Sequence, residues 1–225
     1  MFVCGLDIGA ATTKAVILND DKIISYAVLP TGQSVKRAVD KVIDEALRKE
    51  RLNISVFDSV FSTGYGRHSV NFADRAVSEI ICHARGAHFL FPSVRTVIDI
   101  GGQDSKIIAL DGDGNVNNFV MNDKCAAGTG RFIEVMANVL EVSIEEIGKL
   151  SLLSLNPCSI SSTCTVFAES EIVSLRAKGE PRENLIAGLH KGIALRTITM
   201  GHHIGFSKDV VFTGGVAKNA GVKSF

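Results

Sequence analysis

The chain has 225 residues, of which 46% are hydrophobic, and its 24 basic side chains balance its 24 acidic ones. Such a neutral chain has no net field to attract nucleic acid or an anionic membrane, so neither is expected as a partner. Its five cysteines are odd in number and form no Cys-x-x-Cys pair, no apolar run reaches membrane-spanning length, and no basic leader precedes the first strand. These features predict a cytoplasmic protein whose thiols are reduced or bind metal.

The first 92 residues are predicted to contain three strands, a helix, a strand and a second helix. The three strands end at Leu29, and an amphipathic helix follows over about residues 34–50. Its apolar side chains recur at helical spacing and form a stripe that faces the core; they are Val35, Ala38, Val39, Val42, Ile43, Ala46 and Leu47. A strand is expected over residues 58–63 and a helix over about 76–89. A turn at 91–93 then separates a first half, 1–92, from a second half, 93–225, which restarts with a strand at Thr96.

One motif occurs twice with the same spacing. Asp7-Ile8-Gly9 is followed by Lys14, and Asp99-Ile100-Gly101 is followed by Lys106. Each copy predicts a buried strand, a glycine turn and a second strand, and an acidic turn then leads into a third strand. A second pair of segments also matches: Asp58-Ser59-Val60-Phe61 precedes Ser62-Thr63-Gly64, and Asp209-Val210-Val211-Phe212 precedes Thr213-Gly214-Gly215. The repeated order predicts two homologous halves.

The duplicated motif indicates a nucleotide site. A carboxylate at the end of a strand can hold Mg²⁺ directly or through water. Glycine lets the backbone approach closely, so that amide groups in the turn can surround phosphate oxygens. Two such hairpins facing each other across a cleft would hold one polyphosphate from both sides.

The second half carries an insertion that contains Cys125, Cys158 and Cys164. Cys125 lies ahead of a predicted helix over 131–140, and Cys164 lies ahead of one that ends near 178. A helix N-terminus favours a thiolate, and such thiolates suit an iron–sulfur cluster. Two ligands are too few for a four-thiolate cluster, but a symmetric dimer would supply two more. On spacing alone, the favoured interpretation is that both cysteines are small buried residues.

At these motifs the sequence closely resembles the ATP-dependent activators of 2-hydroxyacyl-CoA dehydratases, a family related to the ATPase subunits of benzoyl-CoA reductases. The resemblance lies in residues 62–67, 99–104, 122–132, 161–171 and 213–217, and so covers essentially the whole chain. It implies a duplicated, actin-like and ribonuclease H-like α/β ATPase fold, shared by acetate kinase, sugar kinases, heat-shock chaperone ATPases and actin.

The resemblance also implies a mechanism in anaerobic metabolism. A homodimer with ATP or ADP and Mg²⁺ in each subunit would share one 4Fe-4S cluster, ligated by Cys125 and Cys164 of both chains. A ferredoxin or flavodoxin would reduce the cluster, and ATP hydrolysis would drive the electron into the partner dehydratase. Cys4 and Cys82 are expected in the core, and Cys158 is not expected to be a ligand.

By match to the family, the first phosphate loop is 10–14, with Asp7 beside Mg²⁺ and Asp99 as the second metal-side carboxylate. Gln103 or Asp104 would orient the attacking water, and Lys14 would neutralise phosphate charge; the alternative for Lys14 is an exposed lysine on an edge strand. Residues expected to contact the nucleotide or its metal are Asp7, Gly9, Ala10, Ala11, Thr12, Thr13, Lys14, Asp99, Gly101, Gly102, Gln103, Gly214 and Gly215.

Two departures from the family and three alternative functions are noted. Ala10 and Ala11 replace hydroxyl side chains found in many relatives, so the backbone, Thr12 and Thr13 are expected to compensate. Relatives also continue beyond Phe225, so the sequence is expected to be truncated.

The alternative functions are an ATPase subunit of a benzoyl-CoA-reductase-like complex, a small-molecule kinase without iron, and a nucleotide-gated binding module.

Overall fold

The computed structural model describes residues 1–160 and 164–225. The chain divides into two compact units, Met1–His83 and Ala84–Phe225, which are taken in turn. The predicted boundary after residue 92 stays a prediction. Of the motif ahead of Cys164, the segment 161–163 lies outside the described residues.

The first unit is built on a five-stranded sheet. Its strands are β1 (Phe2–Ile8), β2 (Thr12–Asn19), β3 (Lys22–Pro30), β4 (Ser59–Thr63) and β5 (Arg75–Ala76). Their order in the sheet is β3-β2-β1-β4-β5. The first three strands are antiparallel, whereas β4 runs parallel to β1 and β5 parallel to β4. The predicted three-strand meander and fourth strand are therefore confirmed.

Helix α1 (Val35–Lys49) packs on this sheet, as the sequence predicted. Ser34 begins the helix, because its side chain accepts a hydrogen bond from the Arg37 N–H at 3.4 Å, which satisfies one of the unpaired donors of the first turn. The apolar stripe of α1 joins one core cluster with strand residues that include Cys4. Cys4 is fully buried, and burial raises the pKa of its thiol to about 12. It is the core residue that the sequence predicted.

The predicted helix over 76–89 begins later than expected. Helix α2 spans Glu79–Leu90, because Arg75 and Ala76 instead pair in parallel with Phe61 and Ser62. Sequence pattern missed this two-residue strand, which is too short to show an alternation of apolar and polar residues.

The second unit repeats the sheet of the first. Its strands are β6 (Thr96–Ile100), β7 (Ser105–Leu110), β8 (Val116–Asn122) and β9 (Val210–Thr213), in the order β8-β7-β6-β9. The first three are antiparallel and β9 runs parallel to β6. This is the arrangement of β3, β2, β1 and β4, so the predicted duplication is confirmed.

Within the described residues, four α-helices stand between β8 and β9, whereas the corresponding part of the first unit has α1 and a short 3₁₀ helix, Ile54–Val56. The four are α3 (Gly130–Val139), α4 (Ile147–Ser151), α5 (Thr165–Ala177) and α6 (Arg182–Gly201), and a short α7 (Ala220–Lys223) follows β9. The predicted helices after Cys125 and Cys164 are α3 and α5. No helix within residues 1–160 or 164–225 has both the length and the apolar character needed to cross a bilayer.

The helices of the second unit share a core that includes Met136, Ile147, Ile172, Leu185 and Ile186. His190 of α6 is 1% exposed. Burial disfavours the charged ring and lowers the pKa of His190 from 6.5 to about 4, so the side chain is neutral at neutral pH.

This burial predicts a pH dependence of stability. Below pH 6.5 the unfolded chain protonates at His190 while the folded chain does not, so stability falls as pH decreases toward the folded pKa. The free energy of unfolding of the wild type should lose about 2 kcal/mol from this group between pH 7 and pH 5. His190→Gln lacks the titrating ring, so urea titrations should show the difference in free energy of unfolding between the two proteins changing by that amount over this pH range. A difference that stays constant with pH would contradict the prediction.

Candidate functional site

The first hairpin places a carboxylate opposite an ammonium group. Asp7 on β1 pairs in register with Lys14 on β2, and Lys14 Nζ lies 2.7 Å from Asp7 Oδ2. The two side chains are 32% and 38% exposed, so they remain accessible to a ligand. Because β2 lies between β3 and β1, the alternative of an edge-strand lysine is wrong.

The first hairpin loop, residues 9–11, closes tightly. Its Gly9 N–H donates to the Thr12 carbonyl at 3.1 Å, and both alanines are exposed. Thr13 is fully buried, and its hydroxyl lies 2.9 Å from that of Thr31, which donates to the Gly9 carbonyl at 2.7 Å. The expectation that the Thr13 side chain faces phosphate is therefore wrong, because its hydroxyl is used inside the hairpin. Thr12 lies on the same strand face as Lys14.

The second hairpin holds a buried ionic triad. Lys106 Nζ lies 2.8 Å from Asp104 Oδ1 and 3.3 Å from Asp99 Oδ2, and all three side chains are at most 9% exposed. Thr213 of β9 donates its hydroxyl to Asp99 Oδ1 at 3.0 Å. Buried charges require such pairing and hydrogen bonding. The triad is therefore part of the framework, whereas the corresponding Asp7 is accessible.

In each unit a glycine follows the strand that pairs in parallel with the aspartate's own strand, β4 beside β1 and β9 beside β6. This glycine lies against the aspartate. Asp7 is in register with Thr63 and Asp99 with Thr213, and the next residues, Gly64 and Gly214, both have φ of 84°. A Cβ at either position would collide with the aspartate carboxylate and with the carbonyl of the following isoleucine. Only glycine combines this backbone conformation with this close approach.

The second hairpin loop, residues 101–104, is bonded to the start of α3. The N–H groups of Gly130 and Arg131 donate to the carbonyls of Gly101 and Gly102, each at 2.8 Å. Thr129 precedes the helix but makes no side-chain cap. The loop carbonyls therefore supply acceptors for N–H groups that have no partner within the helix.

The two residues expected to orient water differ in exposure. Gln103 is exposed within the second hairpin loop. Asp104 is 6% exposed and paired with Lys106. Of the two, Gln103 is therefore the side chain that is open to solvent, whereas Asp104 is held within the loop by Lys106.

Cys125 and Cys164 both lie in the second unit and are partly exposed. Cys125 is in the segment 123–129, here named the cysteine loop, which connects β8 to α3. Asn122 donates its amide to the Cys125 carbonyl at 2.9 Å. Cys164 is the N-cap residue of α5, directly before its first helical residue, Thr165. Only Cys164 is therefore directly at a helix N-terminus, because four residues separate Cys125 from the first residue of α3.

The remaining thiols are placed differently. The Cys158 thiol lies 3.5 Å from Glu180 Oε2, and burial together with this carboxylate raises its pKa. Cys82 was expected in the core, and this is wrong: it is partly exposed and lines an open pocket of about 270 Å³ together with Asp7, Lys14 and Thr63. Burial still raises the pKa of Cys82. None of the five cysteines forms a disulfide.

Several residues of this site were not singled out from the sequence. Lys106 was predicted as part of the repeat but without any contacts, and no role was predicted for Thr213 or for the amides of Gly130 and Arg131. The repeat itself was the available signal for Lys106, since Lys14 occupies the matching position. The amide contacts involve backbone groups and leave no mark on residue type.

The duplicated Asp–Lys hairpins, each beside a glycine strand end, form the actin-like α/β fold, which solved structures of low sequence identity share with this chain. The chain belongs to the BadF/BadG/BcrA/BcrD ATPase family, whose sequence profile matches residues 4–225. It is 49% identical over 227 residues to the activator of lactoyl-CoA dehydratase from Anaerotignum propionicum. The alignment covers 99% of this chain and 86% of that protein.

Two solved structures are closely similar. One is component A of the (R)-2-hydroxyglutaryl-CoA dehydratase of Acidaminococcus fermentans, with a TM-score of 0.96 and 44% identity over 100% of this chain and 86% of that chain. The other is the activator of the 2-hydroxyisocaproyl-CoA dehydratase from Clostridium difficile with bound ADPNP. Its TM-score is 0.93, with 44% identity over 99% of this chain and 83% of that chain.

The different burial of the two ion pairs predicts different effects of matched substitutions. Lys106→Met leaves two buried carboxylates without their ammonium partner and should lower the free energy of unfolding by about 3–5 kcal/mol. Lys14→Met removes a partly exposed pair and should change it by less than about 1 kcal/mol. Urea denaturation of both variants measures the difference. Equal losses in the two variants would show that the two hairpins are energetically equivalent.

Proposed function

We propose that this protein is an ATP-hydrolysing activator that delivers a low-potential electron to a 2-hydroxyacyl-CoA dehydratase. The observation that carries the proposal is the pair of hydrogen bonds from Gly130 and Arg131 to the carbonyls of Gly101 and Gly102. They connect the proposed nucleotide loop to the start of α3, the helix that directly follows the cysteine loop. Similarity to dehydratase activators over the whole chain supports the same function.

The nucleotide would be held by both hairpins. Asp7 is the accessible carboxylate and would bind Mg²⁺, and Lys14 would neutralise phosphate charge. Backbone amides of the first hairpin loop would contact one side of the phosphates, and Gly101, Gly102 and Gln103 the other. Asp99, fixed by Lys106 and Thr213, would orient the second loop beside the metal. Gly214 and Gly215 would receive the adenosine, and Gln103 would orient the attacking water.

The two partly exposed thiols fit a shared cluster. A 4Fe-4S cluster takes four thiolates, and Cys125 and Cys164 provide two from each chain, so a homodimer with these residues on its two-fold axis would complete the set. The cluster supplies a one-electron carrier when it is bound. Cys158 is directed to Glu180 and Cys4 is enclosed in the first core, so neither fits the ligand set.

Nucleotide occupancy would act on the cysteines through α3. Because the second loop carbonyls accept from the first amides of α3, a movement of the loop must carry the helix start with it or break those bonds. A conformational bias on the order of 5.5 kcal/mol inverts a 1:99 equilibrium. The same free energy corresponds to roughly 0.24 V for one electron, at about 59 mV per tenfold. Closure on ATP could therefore make the bound cluster a much stronger reductant.

The remaining partners follow from this role. A ferredoxin or flavodoxin would supply the electron, and the dehydratase would accept it in the cytoplasm. An ATPase subunit of a benzoyl-CoA-reductase-like complex would instead copurify with other subunits, and a kinase of this fold would contain no iron.

Substitution of the cysteines tests the cluster. Protein purified without oxygen should contain about four irons and four sulfides per dimer. Cys125→Ala and Cys164→Ala should each lose most of the iron, because each removes two of four ligands. Cys158→Ala is the matched control and should retain it. Iron and sulfide analysis with size-exclusion chromatography measures this, and an iron-free wild type that hydrolyses ATP would favour the kinase.

Substitution of Asp7 tests the nucleotide site separately. Asp7→Asn removes the charge that binds Mg²⁺ and should reduce the rate of ATP hydrolysis by about 10²–10³-fold, with the iron content unchanged. Asp21→Asn, in an exposed turn of the same unit, is the control and should hydrolyse ATP like the wild type. In the wild type, an ATP analogue should change the reduction potential of the cluster and the rate at which a chelator removes its iron. In Asp7→Asn, the analogue should change neither. No response in the wild type would reject the coupling.

A further inference from the structure

A buried polar cluster lies in the second unit, apart from the hairpins and the cysteines. It consists of His190 on α6, Ser151 at the end of α4, and Asn219, which begins α7. His190 is 1% exposed and Ser151 4% exposed. Polar groups at such depth are normally hydrogen-bonded, so their arrangement requires an explanation.

The contacts of Asn219 fix the orientation of its amide. Its Oδ1 accepts from the backbone N–H groups of Gly221 and Val222 at 2.9 and 3.1 Å, which only an oxygen can do. The amide nitrogen Nδ2 is then the atom that faces His190, 3.2 Å from Nε2. Since Nδ2 is a donor, Nε2 must be an unprotonated acceptor. The neutral ring therefore carries its proton on Nδ1.

The other side of the ring is closed by Gly221. A Cβ at this position would collide with His190 Nδ1 and with the side chain of Ser151, so the absence of a side chain is required here. Neither Nδ1 nor the Ser151 hydroxyl has a hydrogen-bond partner within the described parts of the chain. The hydrogen bond to Asn219 is consequently the polar contact that orients the imidazole.

Asn219 in turn holds the segment that begins at Gly214. Its backbone N–H donates to the Val216 carbonyl at 2.9 Å, which closes the turn Gly215–Lys218. Val216 is 4% exposed, and its Cγ2 would lie 3.6 Å from a Cβ at Gly130. The segment 214–219 is thus fixed at one end by Asn219 and packed at its centre near the start of α3.

We propose that His190 is a positioning residue for nucleotide binding: by accepting a hydrogen bond from Asn219, it holds the segment 214–219 in the conformation that receives the nucleoside of ATP. This inference rests on the proposed function, because it assumes that the segment contacts a nucleotide. His190 itself touches neither phosphate nor metal in this scheme.

Two substitutions separate the hydrogen bond from packing. His190→Met fills a similar volume without an acceptor, whereas His190→Gln can place its carbonyl oxygen near the position of Nε2. The Met variant should raise the Kd for ADP and the KM for ATP about tenfold, with kcat within about twofold, because the lost contact acts on binding alone. The Gln variant should remain within about twofold of the wild type. His88→Met, at a ring that packs on Gly114, is the control and should leave both constants unchanged.

A spectrum of the wild type tests the same contact without a variant. In protein labelled with ¹⁵N at histidine, one imidazole should show a protonated Nδ1 and an unprotonated Nε2, and in His190→Gln this signal should be absent. An Nε2-protonated ring at His190, or equal ADP affinity in His190→Met and wild type, would overturn the inference. A wild type that binds no ADP would instead reject the proposed function, while the tautomer would still be read from the spectrum.

Discussion

Two backbone hydrogen bonds connect the second hairpin loop to the start of α3, and the functional interpretation depends on them. Helix N-termini need acceptors for their first amides, and here the carbonyls of Gly101 and Gly102 provide them. The loop that would contact phosphate and the helix that follows Cys125 are therefore mechanically continuous. Backbone groups make this junction, and glycine leaves room for it: a Cβ at residue 130 would lie 3.1 Å from the Gly101 carbonyl oxygen, and one at residue 101 would lie 2.8 Å from Asp104 Oδ1.

Duplication has given two hairpins with the same register but different environments. Asp7 and Lys14 are about one-third exposed, whereas Asp99 and Lys106 are buried with Asp104. A carboxylate that is accessible can exchange its lysine for a metal ion, whereas a carboxylate inside a buried triad is costly to disturb. In the proposed function, the first copy is therefore the one that would bind metal, and the second is the one that would shape the loop and transmit its position.

Sequence pattern predicted the periodic elements well and the irregular ones less well. Helix α1 was expected over 34–50 because its apolar residues recur at helical spacing, and the structure adds that the Ser34 side chain caps the helix. Strand β5 was missed because two residues show no period, and the start of α2 was placed too early for the same reason. Cys82 was expected in the core from its apolar neighbours in sequence, but it faces a pocket beside Asp7.

The sequence by itself determined the duplication, the order of the strands along the chain, the paired Asp–Lys positions and the resemblance to a family of ATPases. Each of these depends on residue types and their spacing along the chain. Tertiary structure alone decided which aspartate is accessible. It also decided that the Thr13 hydroxyl is hydrogen-bonded to Thr31 and that His190 is hydrogen-bonded to Asn219. These properties depend on burial and on contacts between residues far apart in sequence. Local spacing carries no information about either, since both arise only when the sheets and helices pack.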